Sequence, residues 1–176
     1  QVKLEAGRDL NLQAAEIVTE GKDSKAALSA GRDVNLSTTE VGSANTIAWD
    51  NKNYRKDASS QDIGTSVQAV GDLDIKAGRD FSAMGAYVAA EQKLKVETGK
   101  NINIGAGRHK EQVEEHHVHK GKSGGGNSLT KTTDERLDGN YALGSTITGG
   151  KVSLPAGNDV SVTGSNVVGT NDVDIK

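Results

Sequence analysis

Apolar residues fall in pairs with one polar residue between them: Leu10/Leu12, Val34/Leu36, Leu73/Ile75, Leu94/Val96, Ile102/Ile104, Val152/Leu154, Val160/Val162 and Val173/Ile175. Such alternation sends both apolar members to one face of a strand and the residue between them to the other. The pairs are themselves evenly placed. Six residues separate Leu4 from Leu10, Leu28 from Val34, Ile75 from Phe81, Val96 from Ile102 and Leu154 from Val160. A single apolar position follows five residues further on: Ile17 after Leu12, Val41 after Leu36, Val88 after Ala83 and Val167 after Val162. Six more residues open the next unit at Leu94 and at Val173. The unit is therefore 21 residues long, from Leu73 to Leu94 and again from Val152 to Val173.

A period near 20 residues with three short strands per period predicts an all-β fold, a right-handed parallel β-helix. Its rungs of about 21 residues stack in parallel register, about 4.8 Å apart. The predicted core is Leu10, Leu12, Ile17, Leu28, Val34, Leu36, Val41, Leu73, Ile75, Phe81, Val88, Leu94, Val96, Ile102, Ile104, Val152, Leu154, Val160, Val162 and Val167. Each rung contributes a handful of apolar side chains, worth about 1.5–3 kcal/mol apiece before chain entropy is counted. No rung is stable alone, so each requires neighbours.

The phrase AGRDLNL at Ala6–Leu12 returns as AGRDVNL at Ala30–Leu36. Gly7, Gly31, Gly78, Gly99 and Gly157 each stand three residues before the first core residue of the second strand. The expectation is a sharp corner at which glycine supplies φ > 0. Stacking places Asp9, Asp33, Asp80 and Asp159 in one column, with Arg8, Arg32 and Arg79 offsetting their repulsion. Asn11, Asn35 and Asn103 sit between core pairs and face outward, where they can form a partial amide ladder.

Two units carry much more chain. Ala26 to Leu73 spans 47 residues and Leu94 to Val152 spans 58. The inserts are read as about 42–69 and 106–149, each a projecting β-hairpin. The first turns near Asp50–Asn53, beside Trp49 and Tyr54; the second turns through Gly121–Gly126. The strands of the second are too polar to bury a face of their own and need something to lean on. Residues 1–176 read as a single β-helix segment cut from a longer filament.

Composition narrows the function. Lys and Arg number 21 against 24 Asp and Glu, a net charge of −3, and aromatics are 3%. That supplies neither the basic face nor the stacking platform of a nucleic-acid binder, so no nucleic-acid partner is expected. Without cysteine there is no disulfide and no thiolate zinc site. On a strand His117 and His119 share a face, and two imidazoles can begin a metal site. No metal site is assigned; His116, His117 and His119 come nearest to one, against the alternative of a solvated polar strand that also carries His109. Gly121–Ser123 reads GKS, but the first glycine that a phosphate loop requires is replaced by His116. Serial GGxGxD calcium repeats are absent from the sequence. No catalytic residue and no cofactor is assigned, and the chain is not expected to be an enzyme. A β-helical polysaccharide lyase is the enzymatic rival, since it shares the architecture. It needs acidic or metal-bound sites, a basic residue and sugar-stacking aromatics, and this chain has Trp 1, Tyr 3 and Phe 1.

With AGRDLNL, SAGRDVNL, ETGKNINIGAG and LPAGNDVSVTGSNVV in order, the chain resembles the haemagglutinin repeats of filamentous haemagglutinin-like exoproteins exported by two-partner secretion. The stretch HHVHKGKSGGGNSLTKTTDERL resembles the interruption typical of those repeats. The resemblance covers essentially the whole chain. It implies a right-handed parallel β-helix in a secreted, bacterial cell-surface protein. It also implies a position between a secretion domain and a C-terminal effector. The implied partners are flanking repeats of the same polypeptide, an outer-membrane secretion transporter, and the outer membrane or a receptor of a target cell. Two readings stay open: a shaft that helps to deliver a contact-dependent inhibition toxin to neighbouring bacteria, and an adhesin surface for glycan or host protein.

Overall fold

Alternation becomes strand register. In the computed structural model, which describes residues 1–122, 124–126 and 128–176, Leu4 pairs with Leu28, Leu28 with Ile75, Ile75 with Val96, and Leu154 with Ile175. These pairings are all parallel. Val2–Ala6, Lys25–Ala30, Asp72–Ala77, Tyr87–Thr98, Thr146–Leu154 and Asn166–Ile175 follow one another across this sheet. A second parallel sheet sets Leu10–Gln13, Val34–Ser37, Phe81–Met84, Ile102–Gly105 and Val160–Val162 side by side. Its registered column runs Leu10, Val34, Phe81, Ile102, Val160. A third column runs Ile17, Val67, Val88, Ile147, Val167. The described residues form strands and turns with no helix, hence none long and apolar enough to cross a membrane.

The chain divides into two compact units. One comprises Gln1–Thr39, Asp62–Arg108 and Ala142–Lys176; the other comprises Glu40–Gln61 and His109–Tyr141.

In the first unit the inward residues of the middle copies are buried: Leu28, Val34, Leu36, Leu73, Ile75, Phe81, Val88, Leu94, Val96, Ile102, Ile104, Val152 and Leu154. Toward the two ends, Leu10, Leu12, Ile17, Val160 and Val167 are only partly buried against them, and Val162 is 40% exposed. An end copy has a neighbour on one side only, so its inward face stays half open.

Val41 does not join this core. It is 48% exposed, on the strand Thr39–Asp50. Val67, fully buried, stands between Ile17 and Val88 in its place. The five-residue step from Leu36 does reach Val41 in sequence, but the chain leaves the first unit after Thr39 and re-enters at Asp62. The third strand of that copy is consequently Ser66–Ala69. The second departure does the same to Ile147, which pairs with Val88 and Val167. Residues 62–69 and 142–149, inside the insert ranges read from spacing, therefore belong to the repeating unit.

The corner glycines have a different cause from the one expected. None of Gly7, Gly31, Gly78, Gly99 and Gly157 has positive φ. What excludes a side chain is the copy before. A methyl on Gly31 would lie 2.3 Å from the Gly7 carbonyl oxygen, on Gly78 2.1 Å from that of Gly31, and on Gly157 2.1 Å from that of Gly99. Gly7, with no copy beneath it, has nothing within 4 Å.

Positive φ occurs instead at the next corner, at Ala14 (45°), Gly85 (56°) and Gly164 (57°). These are the copies that run straight from second to third strand. Thr38 and Ala106 hold the same place in the copies from which the inserts leave, and neither adopts positive φ. A buried hydroxyl closes each joint. Thr65 Oγ1 donates within reach of the Leu12 and Ser37 carbonyls at 3.0 and 3.1 Å. Ser145 Oγ does the same for the Ala83 and Gly105 carbonyls at 3.2 and 2.6 Å, and accepts from the Ala86 N–H at 2.9 Å.

The second unit is built on a four-stranded sheet in the order Thr39–Asp50, Asn53–Ile63, Gly107–Lys122, Ser128–Leu143. The two hairpins lean on each other. Asn53–Ile63 and Gly107–Lys122 pair antiparallel, from His109 opposite Gln61 to His116 opposite Tyr54. The first hairpin turns where Asp50 accepts from the Lys52 N–H and from Asn53 Nδ2, both at 2.7 Å. In the second, Ser123 of the GKS triplet lies outside the described residues.

Candidate functional site

Two features carry most of the ionisable chemistry, one in each unit. At the AGRD corner Arg32 and Arg79 each reach back one copy, whereas Arg8 lies 3.4 Å from Asp9 of its own copy. Arg32 donates from Nε and Nη2 to the two carboxylate oxygens of Asp9 at 2.7 and 2.6 Å. Arg79 does the same to Asp33 at 2.9 and 2.6 Å. In the following copy Lys100-Asn101 replaces Arg-Asp, and Asn101 caps Asp80 with its backbone N–H and its Nδ2 at 3.1 and 2.9 Å. The hydrogen bonds from Arg79 hold the Asp33 carboxyl below the usual carboxylate range despite its burial, and the same contact raises Arg79. The bidentate bonds from Arg32 and Arg79 tie successive copies together, so this corner acts as a staple. The outward amides make one rung of a ladder, Asn35 Nδ2 to Asn11 Oδ1 at 2.8 Å. Ser82 stands in register between Asn35 and Asn103 and interrupts it.

The four-stranded sheet separates the histidines. His116 pairs through Nδ1 with Asp134 and stacks on Tyr54, ring centroids 5.6 Å apart. Tyr54 donates its hydroxyl to Glu114 at 2.7 Å, and Lys56 lies 4.7 Å from the ring centre. That hydrogen bond raises the Tyr54 pKa and lowers that of Glu114. His117, one residue on and so on the other face, packs against His119 at 6.2 Å and Trp49 at 5.3 Å. Glu115 stands 3.6 Å from His117 Nε2 and is itself held by Arg55 at 2.7 Å. His109 stacks on Tyr141 at 6.0 Å and bonds Glu111 at 3.1 Å. Thus His117 and His119 come together, whereas His116 and His109 are each engaged elsewhere. Among the described residues no three histidine or carboxylate groups are placed to hold a metal ion.

An open groove of about 420 Å³ lies along the third column, with Val18, Gln68, Ala89 and Thr148 on its walls and Tyr87 and Glu91 as its ionisable groups.

Sequence spacing missed Val67, Ile147, Thr65 and Ser145. A signal existed. GTSVQA at Gly64–Ala69 and GSTITG at Gly144–Gly149 are the same phrase, glycine, hydroxyl, then an alternating strand. Stepping six residues back from Leu73 lands on Val67.

A family model for the hemagglutinin repeat matches residues 1–121 and again 119–176. Among curated proteins, the chain is 26% identical over 177 residues to the tRNA nuclease CdiA-2 of Burkholderia pseudomallei, covering 95% of this chain and 6% of that protein. It is 33% identical over 122 residues to the 16S rRNA endonuclease CdiA of Enterobacter cloacae, covering 66% of this chain and 4% of that protein. The chain therefore spans about one-twentieth of the length of these relatives. No solved structure matches it. Matched from end to end by the repeat model, the chain belongs to the hemagglutinin repeat family.

Proposed function

We propose that this chain is a stretch of right-handed parallel β-helix in the shaft of a secreted, cell-surface exoprotein. In a parent like the CdiA relatives, it supports presentation or delivery of a C-terminal toxin to neighbouring bacteria. The observation that carries this reading is the parallel register of successive copies, which extends from Val2–Ala6 to Asn166–Ile175. Each copy offers the next an unpaired ladder of the same spacing, so flanking repeats can continue the coil at both ends. The family match and the two CdiA relatives support the toxin branch; the nuclease activities in their names are those of the whole relatives. The role is mechanical and not enzymatic. The stapled Arg–Asp corner and the dispersed histidines support that reading. Export through an outer-membrane transporter and contact with a target-cell surface belong to the same proposal.

The test is deletion of this block from the intact exoprotein, scored separately for surface display, attachment to target cells and killing. Retained display and attachment with lost killing is the expected result. Lost attachment points to the adhesin alternative, and an unchanged phenotype overturns a role in delivery.

A further inference from the structure

The four-stranded sheet ends on two outer strands of opposite character. Ser128–Leu143 carries Lys131, Asp134, Glu135, Arg136 and Asp138. Thr39–Asp50 carries no charge between Glu40 and Asp50 and no proline. All of its residues are exposed, and on its far side it has no strand neighbour among the described residues. An edge strand displays a row of free N–H and C=O groups, and folded proteins ordinarily blunt it with charge, proline or a bulge. Ser128–Leu143 is blunted by charge, whereas Thr39–Asp50 is left open.

We infer that Thr39–Asp50 is an interface for a second copy of this chain, which adds its own Thr39–Asp50 strand antiparallel to it. The uncharged stretch Val41–Trp49 is self-complementary about Asn45. Antiparallel pairing about a two-fold axis there sets Val41 opposite Trp49 of the second copy, and Ser43 opposite Ile47. Val41, Ile47 and Trp49 fall on one face by alternation and are all exposed, Trp49 at 59%. Pairing aligns them into aromatic and β-branched cross-strand contacts. The opposite face, Gly42, Ala44, Thr46 and Ala48, is small and uncharged, so nothing there obstructs approach. The same register sets Glu40 opposite Asp50 of the second copy just outside the paired stretch, a like-charge contact; the Asp50 carboxylate there is engaged by the Lys52 N–H and Asn53 Nδ2. The same chemistry already joins the two inserts within one chain, through the antiparallel pairing of Asn53–Ile63 with Gly107–Lys122. A second copy extends that sheet by the same rule.

Sedimentation velocity of the purified chain over a concentration series tests the inference, with the fluorescence of the single tryptophan as a second signal. The expected result is a reversible dimer, with Trp49 emission shifting to the blue as it forms. Ala44→Lys with Ala48→Lys raises the dimer dissociation constant at least tenfold, while Thr130→Lys with Thr132→Lys on the charged edge leaves it unchanged. A monomer at all concentrations, or a dimer indifferent to the lysines at 44 and 48, overturns the inference. Hydrogen exchange on the unsubstituted chain decides independently of any variant's folding. Protection that rises with concentration in Val41–Trp49 supports the interface, and protection rising elsewhere instead refutes it.

Discussion

The two units are made from the same alternation and reach opposite results. In the repeating unit, Leu28, Ile75 and Val96 stack in one column and are buried because each copy closes the face of the last. In the four-stranded sheet, Ile47, Trp49, Leu129, Leu137 and Tyr141 are large and apolar, yet all stay exposed. Alternation selects a face; only a neighbour buries it. The first unit obtains its neighbours from its own repeats, and the second obtains only a side-by-side partner at its strand edges. Burial therefore stabilises the repeating unit, while cross-strand pairs and ion pairs carry the sheet.

That contrast breaks most sharply with one carboxylate placed in each unit. Leu36→Asp puts an unpaired charge where exposure is 1%, at a cost of about 3–5 kcal/mol, whereas Leu137→Asp, at a site 55% exposed, stays within about 0.5 kcal/mol. Urea midpoints of the two variants measure the difference, and equal midpoints would remove the distinction between the units. Gly78→Ala comes next. Its methyl must displace a carbonyl 2.1 Å away and costs about 1–3 kcal/mol, while Gly7→Ala, in open space, is close to neutral. Thermal unfolding of the pair reports whether stacking or conformation selects glycine; were both alanines harmful, conformation would be the cause. Ser145→Ala leaves the Ala86 N–H without its hydroxyl acceptor and removes the O–H shared by the Ala83 and Gly105 carbonyls, of which Gly105 keeps the Gly85 N–H, for about 1–3 kcal/mol, and Thr130→Ala on the exposed outer strand costs almost nothing. A Ser145→Ala protein with unaltered stability would show the joint to be dispensable.

The smallest effect is the one read by pH. The Asp33 pKa is lowered in the fold by Arg79. Its contribution is complete above the ordinary aspartate value of about 3.9 and is lost as pH falls through the lower, folded value. Arg79→Ala removes the hydrogen bonds that lower it and moves acid unfolding to higher pH. An acid titration followed by circular dichroism records the shift, and an unmoved acid limb would mean that the corner contributes no linkage.

The repeating unit was largely legible because its signal recurs. Any one Leu-x-Leu is ambiguous, but six-residue steps meeting AGRD at one fixed offset leave few alternatives. Val41 was misplaced for the same reason that Leu36 was placed. Spacing rules count along the chain, and the chain had already left at Thr39. The glycines were found, but for the wrong cause, since the clash between Gly31 and Gly7 exists only once copies are stacked. Of the histidines, alternation paired His117 with His119. The partners of His116, namely Asp134 and Tyr54, lie on strands whose register no local pattern announced.

Both inserts depart at one corner and return beside the point of departure, where Thr65 and Ser145 seal the joint with the same hydroxyl. Closing a flexible loop of twice the length costs only about 0.6 kcal/mol more. The repeating unit is accordingly indifferent to how much chain is spliced into it. Length and chemistry can be rewritten at that socket while the register on either side stays fixed, so decoration and support are free to change at separate rates.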